Sequence, residues 1–348
     1  MKNVDYIIVG CGLAGIAFCE QLRAHKKSFL VFDDNSQDSS SVAGGLYNPV
    51  VLKRFTEVWK AKELLELALP KYHALEDLLN VKLDFKVQVF RKFSSIEEQN
   101  QWFTAADKPN LEPFLSIHIK KNSNPSIKAP NGFGEVLQTG RIDTKSLVNH
   151  YREYLENHNS FIKEKFDFND LVIENDCVVY KNNKAKQIVF AEGFGMLNNP
   201  YFKDLPLNVV KGEIIMIKAP ELKLDVVLKS SVFIAPSGND KYFVGATYNW
   251  KDKTKAISNE GREELESKLK TFISCDYEVI DQLAGIRPTV KDRRPLVGVH
   301  SKYKNLFVLN GLGTRGIMNA PYAAKQLYDF IEDNIPLDKE INIERFYS

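Results

Sequence analysis

Tyr6-Ile7-Ile8-Val9-Gly10-Cys11-Gly12-Leu13-Ala14-Gly15, continuing through a helical stretch to His25 and an apolar run from Ser28 to Phe32, decides the fold. A strand ends at Val9, glycines fall at the turn and a helix opens behind them, so the segment reads as a βαβ unit. At that turn the glycines make the tight bend, admit a pyrophosphate to the backbone and let the helix pack close to the strand. The N–H groups of the first helical turn then face the phosphates. At the end of the second strand Asp33 can accept hydrogen bonds from both ribose hydroxyls of an adenosine, and it would repel a 2′-phosphate, which argues against NADP. Asp34 stands beside it on the same edge, where a plain solvated role suits it as well. Gly10, Gly12, Leu13, Ala14, Gly15, Asp33 and Asp34 are thus the first cofactor candidates. Such glycines also mark ordinary turns, but the strand, helix and acidic residue all in place favour the ligand.

Working outward, the 348 residues carry 44% hydrophobic side chains, enough for a large core in one domain or in two that share an interface. Lys and Arg total 47 against 45 Asp and Glu, a formal charge of +2, far from the one-sided basicity of a dedicated nucleic-acid binder. Four cysteines without CxxC spacing and six histidines without paired ligand spacing support neither a disulfide framework nor a metal site. No leader-like or membrane-length apolar run is read, so the expected location is the cytoplasm, with no membrane partner. Two helical stretches are expected to flank Pro70, and Ser95 with Glu98 forms a capping box. A further helix is expected from about Asp143, strands dominate from Val209 to Val244, and a helix follows from about Asn259 to Ile273. The last strand, Leu306 to Leu309, feeds a Gly-rich turn and a final helix. This order predicts an α/β protein in which a Rossmann-type dinucleotide-binding domain (1–85, 140–207 and 285–348) is interleaved with an α+β second domain (86–139 and 208–284) on a largely antiparallel sheet; the resemblance given next makes the first an FAD-binding domain and the second a substrate domain.

Three further segments carry a resemblance. Ser39-Ser40-Ser41-Val42-Ala43-Gly44-Gly45-Leu46-Tyr47-Asn48-Pro49 is a run of small residues, Ile188 to Gly195 is a strand entering a second Gly turn, and Asn310-Gly311-Leu312-Gly313-Thr314-Arg315-Gly316-Ile317 opens the final helix. With the first fingerprint they make the chain resemble, nearly end to end, the D-amino-acid oxidase superfamily of flavoproteins, which includes glycine oxidase and sarcosine oxidase. The resemblance implies FAD, held without a covalent bond, because no cysteine stands in or beside the closing signature. It implies that Ser41, Ala43, Gly44, Gly45 and Leu46 run past the phosphates to the isoalloxazine, and that Ala191, Glu192 and Gly193 lie beneath the pyrophosphate, with Glu192 where Thr is usual. It implies that Phe166 holds the adenine through its backbone, a core aromatic role being the alternative. Gly311, Leu312, Gly313, Thr314, Arg315, Gly316 and Ile317 would aim a helix N-terminus at the flavin N1 and C2 carbonyl, where negative charge gathers on reduction.

Val210 to Glu213, Phe243 to Tyr248 and Gly313 to Gly316 are most similar to the oxidase half of the bifunctional bacterial enzyme that processes carboxymethylaminomethyl groups on tRNA wobble uridines. Lys211 stands where those relatives often have Arg.

Oxidation of an amino acid needs its carboxylate anchored so that the α carbon–hydrogen bond lies against flavin N5, a task suited to a guanidinium. The resemblance puts the carboxylate-binding arginine at Arg287. Tyr248 and Tyr47 could donate hydroxyls to substrate, though tyrosines at strand ends also serve as core packing, and Arg315 could bind substrate or flavin. Three functions are expected in order: oxidation of the C–N bond of a small amino acid or N-carboxymethyl secondary amine by hydride transfer to flavin N5 with hydrolysis of the imine; the same chemistry on a tRNA-attached amine, with tRNA as partner; and flavin binding without turnover. A tRNA partner would need a basic surface, for which Lys53, Arg54, Lys60 and Lys62 are the candidates.

Overall fold

The computed structural model describes residues 1–36, 39–42 and 44–347, without the side chain of Ser41. Two large sheets organise it. In the first, the strands Phe161–Ile162, Phe29–Phe32, Lys2–Val9, Asn183–Phe190 and Leu306–Asn310 run parallel, and Leu296–Val299 closes one edge antiparallel. Tyr6 to Val9, the buried half of Lys2–Val9, is an unbroken apolar run because both faces are covered there, as in a central parallel strand. Tyr6 and Ile8 face the helical layer, whereas Ile7 and Val9 face a cluster with Phe166, Tyr180 and Phe190. Helices Leu13–Ala24 and Ala61–Leu79 both pack on the last long helix, Gly316–Glu332.

The second sheet is ordered Glu278–Val290, Leu207–Lys218, Lys241–Gly245, Phe233–Pro236, Val227–Lys229, Val89–Lys92, Phe133–Val136 and Leu115–Lys120. Every neighbouring pair is antiparallel except Val227–Lys229 on Val89–Lys92. Period-two alternation splits Leu207–Lys218 between two environments. Ile215 and Ile217 enter a core with Leu265 and Leu269 of helix Asn259–Lys270, and each such buried side chain contributes about 1.5–3 kcal/mol. Gly212 and Ile214, on the other face, line a cavity. The boundary expected at 285 falls inside Glu278–Val290, which stays paired with Leu207–Lys218 through Val290.

One expectation needs correction. The two helical stretches around Pro70 are a single helix, Ala61–Leu79, with Pro70 inside it. Leu64, Leu65 and Ala68 before the proline and Tyr72 and Leu75 after it are buried on one seat, and that packing outweighs the lost N–H. Elsewhere Ser95 accepts from the Glu98 N–H at 3.3 Å and Asp143 from the Ser146 N–H at 3.1 Å, but the expected capping box closes one residue early, the Glu98 carboxylate accepting from the Ser94 N–H at 2.6 Å rather than from Ser95. No helix among the described residues is long and apolar enough to cross a membrane.

Candidate active site

A cavity of about 740 Å³ lies where the carboxyl ends of the parallel strands meet one face of the antiparallel sheet. At its first end the backbone is stripped of side chains. A Cβ on Gly10 would stand 2.4 Å from the Ala191 carbonyl oxygen, and one on Gly15 would stand 2.0 Å from that of Gly10, so both must be glycine for helix and strands to approach as they do. Asp33 is held in place: one oxygen accepts from the Cys11 N–H at 2.6 Å, the other from the Asn35 N–H at 2.6 Å and from Arg152 at 3.1 Å. Arg152 reaches it from helix Thr144–Asn157, a partnership no local motif announces. Burial and the Asp33 charge push the Cys11 thiol up to about 12, leaving it inert.

Most cofactor candidates meet around this cavity. Gly10, Gly12, Leu13, Ala14, Asp33, Gly44, Gly45, Leu46, Ala191, Glu192, Gly193, Leu312, Gly313, Thr314, Arg315, Gly316 and Ile317 all line it. Gly15 and Gly311 lie behind it, Gly311 with a φ of +68° and Val290 and Leu296 against its α carbon. Asp34 also stays off the wall and accepts from the Ser36 N–H at 2.8 Å. Ala43 and the Ser41 side chain lie outside what is described. Glu192 faces the cavity while its carboxylate accepts from the Asn199 amide at 2.6 Å, and burial pushes it up to about 7. No cysteine lines the cavity among the described residues.

Two site candidates move away from the cavity. The Tyr47 hydroxyl donates to Asp84 at 2.8 Å and accepts from Lys86 at 2.8 Å, and the residue is 1% exposed, so it fastens Leu46–Tyr47 to the structure behind the wall. It offers no hydroxyl to a substrate. The Phe166 ring is stacked on Tyr180 at 4.0 Å in the core cluster beside the parallel sheet and does not line the cavity.

The opposite end is cationic. Arg287, on Glu278–Val290, turns its guanidinium onto Gly212 of the neighbouring strand, where a Cβ would stand 2.0 Å from the nearer nitrogen. The Thr247 carbonyl accepts from it at 3.4 Å, and its guanidinium carbon lies 4.9 Å from the centre of the Tyr248 ring. Arg315 reaches the same cavity as the residue preceding helix Gly316–Glu332, in a segment packed against Glu278–Val290. Neither arginine has a carboxylate partner among the described residues, and burial lowers both from the usual arginine range, Arg315 further through Arg293. Lys53, Arg141 and Lys229 also line the cavity. Lys229 and Gly212 were not legible as site residues, because only the pairing of distant strands brings them to the wall. Of the four residues expected to form a basic surface, Lys60 is paired with Asp338 at 2.8 Å and Lys62 approaches Glu66 at 3.9 Å, leaving Lys53 at the cavity and exposed Arg54.

The first end fits an adenine dinucleotide: bare glycine backbone, the start of helix Leu13–Ala24 and a fixed acceptor at Asp33. The comparisons agree. The family described as FAD dependent oxidoreductase matches residues 5–330. Glycine oxidase of Geobacillus kaustophilus is 23% identical over 366 residues, covering 94% of this chain and 93% of that protein. The tRNA 5-methylaminomethyl-2-thiouridine biosynthesis bifunctional protein MnmC of Campylobacter jejuni subsp. doylei is 22% identical over 309 residues, covering 86% of this chain but only 46% of its own length. Among solved structures, the glycine oxidase from Geobacillus kaustophilus superposes with a TM-score of 0.79 at 19% identity, covering 99% of this chain and 98% of that one. Iminodiacetate oxidase from Chelativorans sp. BNC1 does so with a TM-score of 0.78 at 16% identity, covering 97% and 99%. With its dinucleotide cradle, its cationic far wall and a family match over nearly its whole length, the chain belongs to the FAD-dependent oxidoreductase family.

Proposed function

We propose that this protein oxidises the C–N bond of a small amino acid or N-carboxymethyl secondary amine. One observation carries the reading: Arg287 and Arg315 are half-buried in the cavity wall with no anion among the described residues to pair with. An unpaired buried charge costs several kcal/mol unless a ligand offsets it, and a planar guanidinium is suited to two parallel hydrogen bonds with a carboxylate.

In this reading Arg287 binds the substrate carboxylate, and bare Gly212 and the Tyr248 ring fix the plane of its guanidinium. The substrate is thereby oriented before reaction, which moves part of the entropic barrier into binding. Arg315 lines the same cavity and adds positive potential to it. FAD, which Gly10, Gly12 and Asp33 at the dinucleotide end would hold, would supply the two-electron acceptor for oxidation of the amine-bearing carbon. The resulting imine hydrolyses in water to a carbonyl compound and an amine.

The MnmC relatives favour a second reading, in which the same amine chemistry acts on a carboxymethylamine carried by tRNA. Lys53 at the cavity and exposed Arg54 are the cations of the expected basic surface left without a carboxylate partner among the described residues. Incubating the FAD-loaded protein with glycine, N-methylglycine, other N-carboxymethyl amines and tRNA bearing carboxymethylaminomethyl uridine, and assaying the carbonyl product, tests both. Product from the free amines supports the first reading, product from tRNA alone the second, and none from any substrate overturns both.

A further inference from the structure

The sheet face that presents Arg287 presents another cation on its far side. Lys229 pairs with Phe233, Phe233 with Gly245, and Gly245 with Ile214, while Arg287 pairs with Val210 on the same strand as Ile214. Paired residues project to one face, as do residues two apart, so Lys229, Phe233, Gly245, Ile214, Gly212 and Arg287 share that face, and all six line the cavity. Strand order puts four spacings, about 19 Å, between the Lys229 and Arg287 strands, and the register offsets Arg287 by four residues, about 13 Å, along them; the Arg287 guanidinium over Gly212 and the Lys229 ammonium over Phe233 both shorten that gap.

Between them the floor is apolar or bare. The Lys229 ammonium has no hydrogen bond or ion pair among the described residues and lies 4.4 Å from the centre of the Phe233 ring. Arg91, on the adjoining strand, is already committed to Glu98 at 2.6 Å and the Ser230 carbonyl at 3.2 Å. Burial, together with the charge of Arg315, lowers Lys229 to about 8. The acidic residues on the cavity wall, Asp33 and Glu192, belong to its dinucleotide end. A cation so placed is stabilised only by an anion that enters with the ligand.

We propose that Lys229, supported by Arg315, forms a second anion subsite, so that the preferred substrate is an amine bearing two carboxylates, one held by Arg287 and the other by Lys229. This rests on the amine-oxidation reading. It adds a selectivity that an Arg287 site alone would not have.

The test compares iminodiacetate and N-(2-carboxyethyl)glycine with N-methylglycine and N-propylglycine, which keep the amine and one carboxylate. Binding is read anaerobically from the perturbation of flavin absorption, and reduction from its bleaching. The wild-type protein is expected to bind the dicarboxylates at least about tenfold more tightly, as one charge-assisted contact provides. Lys229→Met should bring the ratio near one without weakening the monocarboxylates, and Lys229→Arg should keep most of it. Equal affinity in the wild type, or a preference that survives Lys229→Met, overturns the proposal. If Lys229→Met does not load FAD, the wild-type ratio from pH 6.5 to 9.5 replaces it. The preference must then fall as Lys229 loses its proton, since Arg315 and the Arg91–Glu98 pair keep their charges, and a flat ratio overturns the proposal. Binding without bleaching would count against amine oxidation, while the affinity ratio still decides the subsite.

Discussion

The two ends of the cavity differ in how their charges are settled. At the dinucleotide end Asp33 is tied to two backbone N–H groups and Arg152, and Glu192 to Asn199. At the far end Arg287, Arg315 and Lys229 have no carboxylate among the described residues. The first end is finished by the protein itself and asks of its ligand mainly shape and phosphate. On the proposed reading the second is finished by an anion that arrives and leaves, which would put substrate choice there.

Breaking the contrast at the cationic end should have the largest effect. Arg287→Met is expected to lower kcat/KM for carboxylate-bearing amines by about 10³-fold, about 4 kcal/mol, with FAD content unchanged. Equal loss for amines without a carboxylate would show a general defect instead. At the dinucleotide end, Glu192 tests how settled its charges are. Its folded-state value of about 7 lies above the usual 4.5, so the folded protein holds an extra proton between those values. Stability should therefore fall as pH rises from 4.5 to 7 and stay low above that. Glu192→Gln should remove this dependence, gaining at most about 3 kcal/mol at pH 8 and nothing at pH 4, as read from denaturant midpoints.

A subtler change sharpens the account of positioning. Gly212→Ala places a methyl where the Arg287 guanidinium lies, and should cost about tenfold to a hundredfold in kcat/KM for carboxylate substrates with little loss of FAD. The smallest effect is expected behind the wall: Tyr47→Phe removes the hydrogen bond to Asp84 and should cost about 1–2 kcal/mol in stability while leaving kcat/KM nearly unchanged. A large kinetic effect with normal stability would return Tyr47 to the substrate side.

The same contrast explains what could be read in the sequence. Gly10, Gly12 and Gly15 act within one strand–turn–helix unit, so their spacing alone announces the dinucleotide end. The interleaved α/β order followed from the alternation of strands and helices, and Arg287 from a resemblance. Lys229 could not be found this way, because its place depends on the register of five strands spread from Leu207 to Val290. Arg152 was hidden for the same reason, reaching Asp33 from a helix far along the chain. Tyr47 misled because a buried hydroxyl satisfied by Asp84 and Lys86 looks, in one dimension, the same as one facing a ligand. Pro70 misled because helix packing on both sides outweighs a local breaker.

The central claim is that FAD and a carboxylate-anchored amine meet in one cavity. Anaerobic titration of the purified protein, following the visible flavin spectrum with N-methylglycine, iminodiacetate and matched amines lacking a carboxylate, tests it most directly. The account predicts a yellow protein that releases FAD on denaturation and is bleached by the carboxylate-bearing amines but not by their uncharged counterparts. A protein that takes up no FAD, or one bleached equally by both kinds of amine, would contradict it.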